Sequence, residues 1–500
     1  MACAALVAVL SLLTACGSDE TPVTPLPDAE APGVDAGTGG VDAGNGDGGA
    51  DLPKCTDGVR NGEETDVDCG GGCLPCAQCM RCKVATDCET SQCADGTCGP
   101  AFQALPDLDP VRRALDNLVA TIESGMRCDM DIYIDVVSVV GRESYRFSEK
   151  EAAYTSDLLG GGTSVLKSNA FYIVRPWESR YWVARRAGEL QEEASAAAAI
   201  PESEKKGFIA FARTTMAYQL LLNLNLSDTN GLRDDVSGAG QPIEGKNEAL
   251  AHIAKLLDDA KADLSTASFS FSLSSGFAGF TTPADFLKFN RALAARVAAY
   301  RQLWPEALAS LNESFFNLNG DPSAGAYHRF SDAPGDLRNR LFVPQNSIGE
   351  LRIAHPSFAT DATPGDERMA TKATLRTTAA SQAGLAGNRD LWRYTSAAAP
   401  IPIIRNEELL LLYAEAQVHV SRFPDAVVAI NRIRLTHNVP TYAGASTESA
   451  LFNEILKQRR YSLFFEGHRW VDLRRYARLN ELPIDRPGDD VWPAFPMPAK

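Results

Sequence analysis

Four cysteines spaced three apart, Cys73, Cys76, Cys79 and Cys82, are the first residues in the chain whose type and spacing could do chemistry. Thiolates so placed can hold an iron–sulfur cluster or zinc. They lie, however, in a denser set that adds Cys55, Cys69, Cys88, Cys93 and Cys98, and Cys128 makes the total even. Metal or disulfide is then a question of compartment, which the start of the chain addresses. Residues 1–16, MACAALVAVLSLLTAC, form an apolar run too short to span a bilayer. Within it Leu13-Thr14-Ala15-Cys16 fits a bacterial lipobox, in which small residues admit the peptidase and the cysteine thiol takes the lipid. On this reading residues 1–15 are a lipoprotein signal peptide, Cys16 is lipidated, and the rest lies beyond the inner membrane, where thiols oxidise. A module this small, with so few large apolar residues, needs covalent staples, so disulfides are expected rather than metal.

A second constellation lies near the other end. Glu466, Arg469 and Asp472 are each three apart, which on one helix would set an acid–base–acid ladder beside Trp470 and Leu473 on the packed side. The expected role is a structural ion-pair network, because catalysis would need a nucleophile or a matched carboxylate pair in a cleft. Asp57, Asn61, Asp66 and Asp68 carry calcium-type oxygens without EF-hand spacing. There is no zinc-binding HExxH, no nucleophile elbow and no phosphate loop; Gly160-Gly161-Gly162 lacks the strand and helix such a loop needs. No enzyme and no cofactor are expected. The net charge of −16 argues against nucleic acid as a partner.

The elements that must position these residues are mostly helical. Glu407 to Val420 and Asp425 to Leu435 read as an antiparallel hairpin, broken at Ser421, Arg422, Phe423 and Pro424, with small Ala414 and Ala416 allowing close approach. The corner recurs: Trp304-Pro305-Glu306-Ala307-Leu308-Ala309-Ser310-Leu311-Asn312 matches Phe423-Pro424-Asp425-Ala426-Val427-Val428-Ala429-Ile430-Asn431 class for class. Such units read as tetratricopeptide-like repeats, here interrupted by long inserts, the longest from Asn317 to Ala399. Leu108 to Ser124 has helical periodicity, and Tyr172 to Ala198 pairs with Glu204 to Leu224. Asp131 to Val140, DIYIDVVSVV, fits either a strand or a β-branched helix. Residues 16–54, almost free of aromatics, read as a disordered tether, 55–99 as the cysteine-rich module and 100–500 as the helical domain.

The segments IPIIRNEELLLLYAEA, AINRIR and QRRYSLFFEGHRWVDLRR closely resemble the C-terminal signature of the RagB/SusD family, matching at Arg405, Glu408, Ala414, Glu415, Ala416, Asn431, Arg434, Arg459, Arg460, Glu466, Gly467, Arg469, Trp470, Asp472, Leu473 and Arg474. CTDGVRNGEETDVDCGGGC is similar to a short module of myxobacterial secreted proteins. The family resemblance implies a SusD-like, mostly α fold and an outer-membrane lipoprotein facing the exterior. It further implies that the protein binds a glycan or peptide nutrient and passes it to a TonB-dependent transporter; surface adhesion on the same scaffold is the alternative. Sugar sites stack flat apolar ring faces on Trp or Tyr and orient hydroxyls with polar groups. The leading candidates are therefore Trp392 and Tyr394 with Arg393 between them, followed by Trp177 and Tyr181.

Overall fold

Helix 10 of the chain shows how the fold is assembled. In the computed structural model, which describes Cys55 and residues 60–101, 109–233, 242–333 and 335–498, it spans Asn406–His419 and is buried on every side. Ala414 meets Ala426 and Ala429 of the next helix, while Ala416 meets Ala298 and Ala307 of the earlier hairpin. Small residues on two faces thus admit two neighbours at once, and the two copies of the repeated corner pack together despite the long insert between them. Trp304, the aromatic of the first corner, stacks on His419 with ring centroids 4.2 Å apart.

In chain order the helices are α1 (Pro110–Gly125), α2 (Met130–Val140), α3 (Phe171–Ala196), α4 (Glu202–Ser227), α5 (Lys246–Leu264), α6 (Pro283–Tyr300), α7 (Trp304–Glu313), α8 (Pro356–Thr360), α9 (Glu367–Lys372), α10 (Asn406–His419), α11 (Phe423–Thr436), α12 (Glu448–Ser462) and α13 (Arg469–Arg475). Successive long helices from α3 to α7 lie against one another, and α10 packs on α7, α11 and α12. Their starts are chemically marked: Asp109 accepts the Val111 N–H ahead of Pro110, and Thr282 accepts the Asp285 N–H ahead of Pro283. The ambiguous DIYIDVVSVV forms α2. It is a helix apolar on nearly every face, and its one interior acid, Asp135, receives a bidentate pair from Arg352 at 2.7 and 2.6 Å.

The long insert folds into sheet. Strands β3 (Ser144–Phe147), β5 (Leu351–Ala354), β7 (Leu385–Leu391) and β6 (Ala373–Gln382) pair antiparallel in that order, and β4 (Gly325–His328) pairs with β8 (Ile401–Arg405). The β4–β8 pairing brings the chain back beside α7 to enter α10.

In the cysteine-rich stretch the pairs are Cys55–Cys73, Cys69–Cys76, Cys79–Cys128, Cys82–Cys93 and Cys88–Cys98. Sulfurs bonded to each other are not metal ligands, so the CxxC spacing serves cross-linking. Asp66, a calcium candidate, instead accepts the N–H groups of Val67 and Arg81 at 2.8 and 2.7 Å. Strands β1 (Cys93–Ala94) and β2 (Thr97–Cys98) form a hairpin whose two-residue loop, Asp95-Gly96, has positive φ at both positions (45° and 72°), the conformation that an Asp-Gly pair favours. The module and the helices lie in one unit, Asp51–Lys500. Cys16, the signal peptide, the tether and Asp57 lie outside the described residues. Among the described residues no helix is long and apolar enough to cross a membrane.

Candidate functional site

A cleft of about 1040 Å³ opens along α3. Trp177 and Tyr181 lie in its wall, one helical turn apart with ring centroids 5.2 Å apart, and Phe171 extends the aromatic stripe. The Tyr181 side chain and the Trp177 backbone are each held from behind. The Tyr181 hydroxyl donates to the Arg233 carbonyl at 2.7 Å and accepts the Arg233 N–H at 2.9 Å, and Asn223 of α4 donates to the Trp177 carbonyl. Tyr181 is thereby largely covered, whereas Trp177 keeps a partly exposed face.

Charged groups alternate with these rings. Arg175 pairs with Asp129 at 2.8 Å, and Glu178 receives Arg81 from the cysteine-rich module at 2.8 Å. Both partners of the second pair are about half exposed, 48% and 55%, so their contact is worth no more than roughly 1 kcal/mol and exchanges readily for other polar groups. A stacking surface flanked by exchangeable donors and acceptors suits a ligand with flat apolar faces and many hydroxyls.

The leading pair from the sequence is not such a surface. Tyr394 is buried (1% exposed), with its hydroxyl donating to the Phe465 carbonyl at 3.1 Å, so it cannot stack on a ligand. Trp392 is half-buried and tilted against Phe342, and Arg393 is committed to Glu466 at 2.8 Å. None of the three lines the cleft. Neighbours distant in sequence, Phe342 and Phe465, determined this outcome.

Nor do Glu466, Arg469 and Asp472 form a ladder. Helix α12 ends at Ser462 and α13 starts at Arg469, and between them Phe465 and Gly467 take positive φ (60° and 83°), so Glu466 lies outside any helix. Gly467 also lies against Tyr133 and Val137, where a Cβ would be only 3.3 Å from each. Glu466 turns to Arg405 and Arg393, Arg469 donates to the Gly141 carbonyl, and Asp472 takes Arg459 at 2.7 Å and Arg475 at 2.9 Å. The other signature acids do likewise: Glu408 pairs with Arg296 of α6 at 2.7 Å and Glu415 with Arg475 at 2.9 Å. Burial raises the Glu466 carboxyl, but Arg405, Arg393 and Lys372 outweigh it and hold it at about 2. Burial lowers Lys372 to about 7 against the pull of Glu466; its ammonium donates to the Tyr461 and Ser462 carbonyls.

One further arrangement has catalytic residue types. His355 lies 2.8 Å from the Ser357 hydroxyl and 2.9 Å from Asp485. Its Nδ1 also accepts the Ser357 N–H to cap α8, and the Ser357 hydroxyl accepts from Arg460, so the trio works as a helix cap. Burial lowers the imidazole below its ordinary range despite Asp485.

The SusD family model matches residues 359–489, the stretch holding α9 to α13 and their buried ion pairs. A SusD superfamily protein from Bacteroides vulgatus superposes with a TM-score of 0.59 at 14% identity, over 77% of this chain and 95% of that one. The fold is that of the SusD superfamily. Surface glycan-binding protein A from Bacteroides thetaiotaomicron gives a TM-score of 0.61 at 12% identity, over 77% of this chain and 95% of its own. Its complex with laminarihexaose gives 0.58 at 12%, over 74% and 91%. No curated protein matches the chain in sequence.

The stripe on α3 that sequence reasoning ranked second is the one lining the cleft. What it missed was the company of Phe171, Arg175, Glu178 and Arg185, which recur at three- and four-residue spacing with Trp177 and Tyr181. A helix face mixing rings with charges, where a core face would be uniformly apolar, was the available signal.

Proposed function

We propose that this chain captures a glycan in the α3 cleft, without turnover, and passes it to a TonB-dependent outer-membrane transporter. Lipid on Cys16 would hold it at the cell exterior. The observation that carries the reading is the Trp177–Tyr181 stripe in a cleft of about 1040 Å³. The SusD-type fold, shared with a protein solved with laminarihexaose, supports it. A glycan is favoured over a peptide because the wall offers ring faces for stacking and exchangeable charges for hydroxyls.

The test is a glycan and peptide array on the mature chain, followed by titration of the best ligand against Trp177→Ala. Loss of one stacked ring is expected to weaken binding roughly tenfold, about 1.4 kcal/mol. Unchanged affinity would move the site elsewhere, and no ligand together with no co-purifying transporter would favour adhesion. For the anchor, a fatty-acid analogue fed to cells should label the protein and fail to label Cys16→Ser; label persisting on the variant rejects lipidation there.

A further inference from the structure

Resting on that reading, we infer that the cysteine-rich module is the second wall of the binding cleft, and that the two walls together form a site for a neutral oligosaccharide. Eight of the twenty-six lining residues come from the module, so it is a structural part of the cleft and not a neighbour of it. The Asp95-Gly96 hairpin tip and Thr97 line the cavity together with the α3 rings, and Arg81 is bridged to Thr97.

Several attachments among the described residues fix this wall to the helical domain. Cys79 is bonded to Cys128, the Trp182 indole N–H donates to the Ala94 carbonyl at 3.1 Å, and Arg186 pairs with Asp95. Arg186 is mostly buried and the disulfide is covalent, so the hairpin is held in place relative to Trp177. The Arg81–Glu178 pair, which joins the module to α3 in the cleft lining, is of another kind. Both ends are half exposed, and either can leave its partner for a sugar hydroxyl at little cost. The permanent contacts set the width of the cleft, and the weak one supplies polar groups to a ligand.

Charge and size narrow the ligand class. The lining carries five arginines against five aspartates and glutamates, with no net charge to reward an acidic glycan over a neutral one. Charged donors and acceptors on both walls are well matched to hydroxyls. At about 1040 Å³ the cleft stands at the upper limit of the roughly 300–1,000 Å³ typical of small-molecule sites, which leaves room for several sugar rings.

Titration calorimetry of the full mature chain with neutral hexasaccharides (laminarihexaose, maltohexaose, cellohexaose, xylohexaose) and with oligogalacturonate of similar length tests this. Arg81→Ala and Thr97→Tyr alter the module wall, and Trp177→Ala alters the helix wall. The expected result is binding of at least one neutral hexasaccharide in preference to oligogalacturonate. Both module variants should weaken that binding fivefold or more with an unchanged melting temperature. Should Thr97→Tyr fail to fold, Arg81→Ala decides alone. Module variants that bind like the unaltered protein while Trp177→Ala is impaired overturn this inference and leave the proposed function standing. Preference for oligogalacturonate overturns the neutral assignment, and no binding by the unaltered protein overturns both readings.

Discussion

Replacing Trp470 with alanine is expected to destabilise the helical domain by about 3–5 kcal/mol, the usual range for a buried aromatic. The side chain is fully buried at 0% exposure, on the short helix α13. Its ring lies 5.4 Å from that of Phe495, the Arg474 guanidinium sits 4.2 Å above it, and its indole N–H donates to the Trp492 carbonyl at 2.8 Å. Gly141 closes the other side, where even a Cβ would come within 3.2 Å of Trp470. The substitution would therefore remove packing between α13, the turn at Gly141 and the C-terminal segment, and would take the donor away from the part-buried Trp492 carbonyl. Because α13 is short, little of its stability is its own, and most comes from this contact. Urea denaturation of the variant is the check. A midpoint within experimental error of the unaltered protein would show that the C-terminal segment carrying Trp492 and Phe495 does not seal the helix.

The parts of this fold legible in the sequence are those whose signals are local. The α6–α7 and α10–α11 hairpins are marked by an aromatic and a proline at the corner and by alanines at the contact, all within twenty residues. α2 is the opposite case. A helix surrounded on every side carries no periodicity, so Val136, Val137, Val139 and Val140 read as well for a strand as for the helix they form. The four-stranded sheet was illegible because β3 comes from before α3 and β5 from after α7, and no local pattern announces a pairing over that distance.

The candidate site residues divide along the same line. Trp177 and Tyr181 belong to a helix face and could be read by spacing, whereas Trp392 and Tyr394 lie in the insert, where exposure depends on what folds over them. Tyr394 is covered by Phe465, seventy-one residues onward. The expected ladder failed for a related reason. A three-residue spacing places side chains together only if the helix is continuous, and the left-handed backbone at Phe465 and Gly467 interrupts it. The composition of the signature was still informative, since each of its acids meets an arginine, mostly across elements, with only the Asp472–Arg475 pair lying along one helix.

That cross-element pairing makes Glu466→Gln the second large effect, a loss of about 3–5 kcal/mol at neutral pH, the usual consequence of removing one partner from a buried ion pair. Glu466 accepts from Arg405 at 3.0 Å and Arg393 at 2.8 Å, and its side chain is only 3% exposed, so the amide would leave Arg393 without its carboxylate, and Arg405 and the Lys372 ammonium with Glu407 alone. The pH dependence gives the prediction its direction. A carboxyl held at about 2 when folded and near 4.5 when unfolded binds fewer protons in the native state, so its contribution is complete above about 4.5 and fades as pH falls toward 2. The variant should lose part of that acid limb and keep the share due to Glu408 and Asp472, whose carboxyls are also lowered, by Arg296 and Arg459 against the opposing effect of burial. Lys372 supplies the other limb. At about 7 it is charged in the native state at pH 6 and largely neutral at pH 8, so only at the lower pH does it depend on Glu466. The destabilisation by Glu466→Gln should accordingly be larger at pH 6 than at pH 8. Urea titrations at those two values decide it, and an equal loss at both would mean that the ammonium does not interact with the carboxylate that the arginines share.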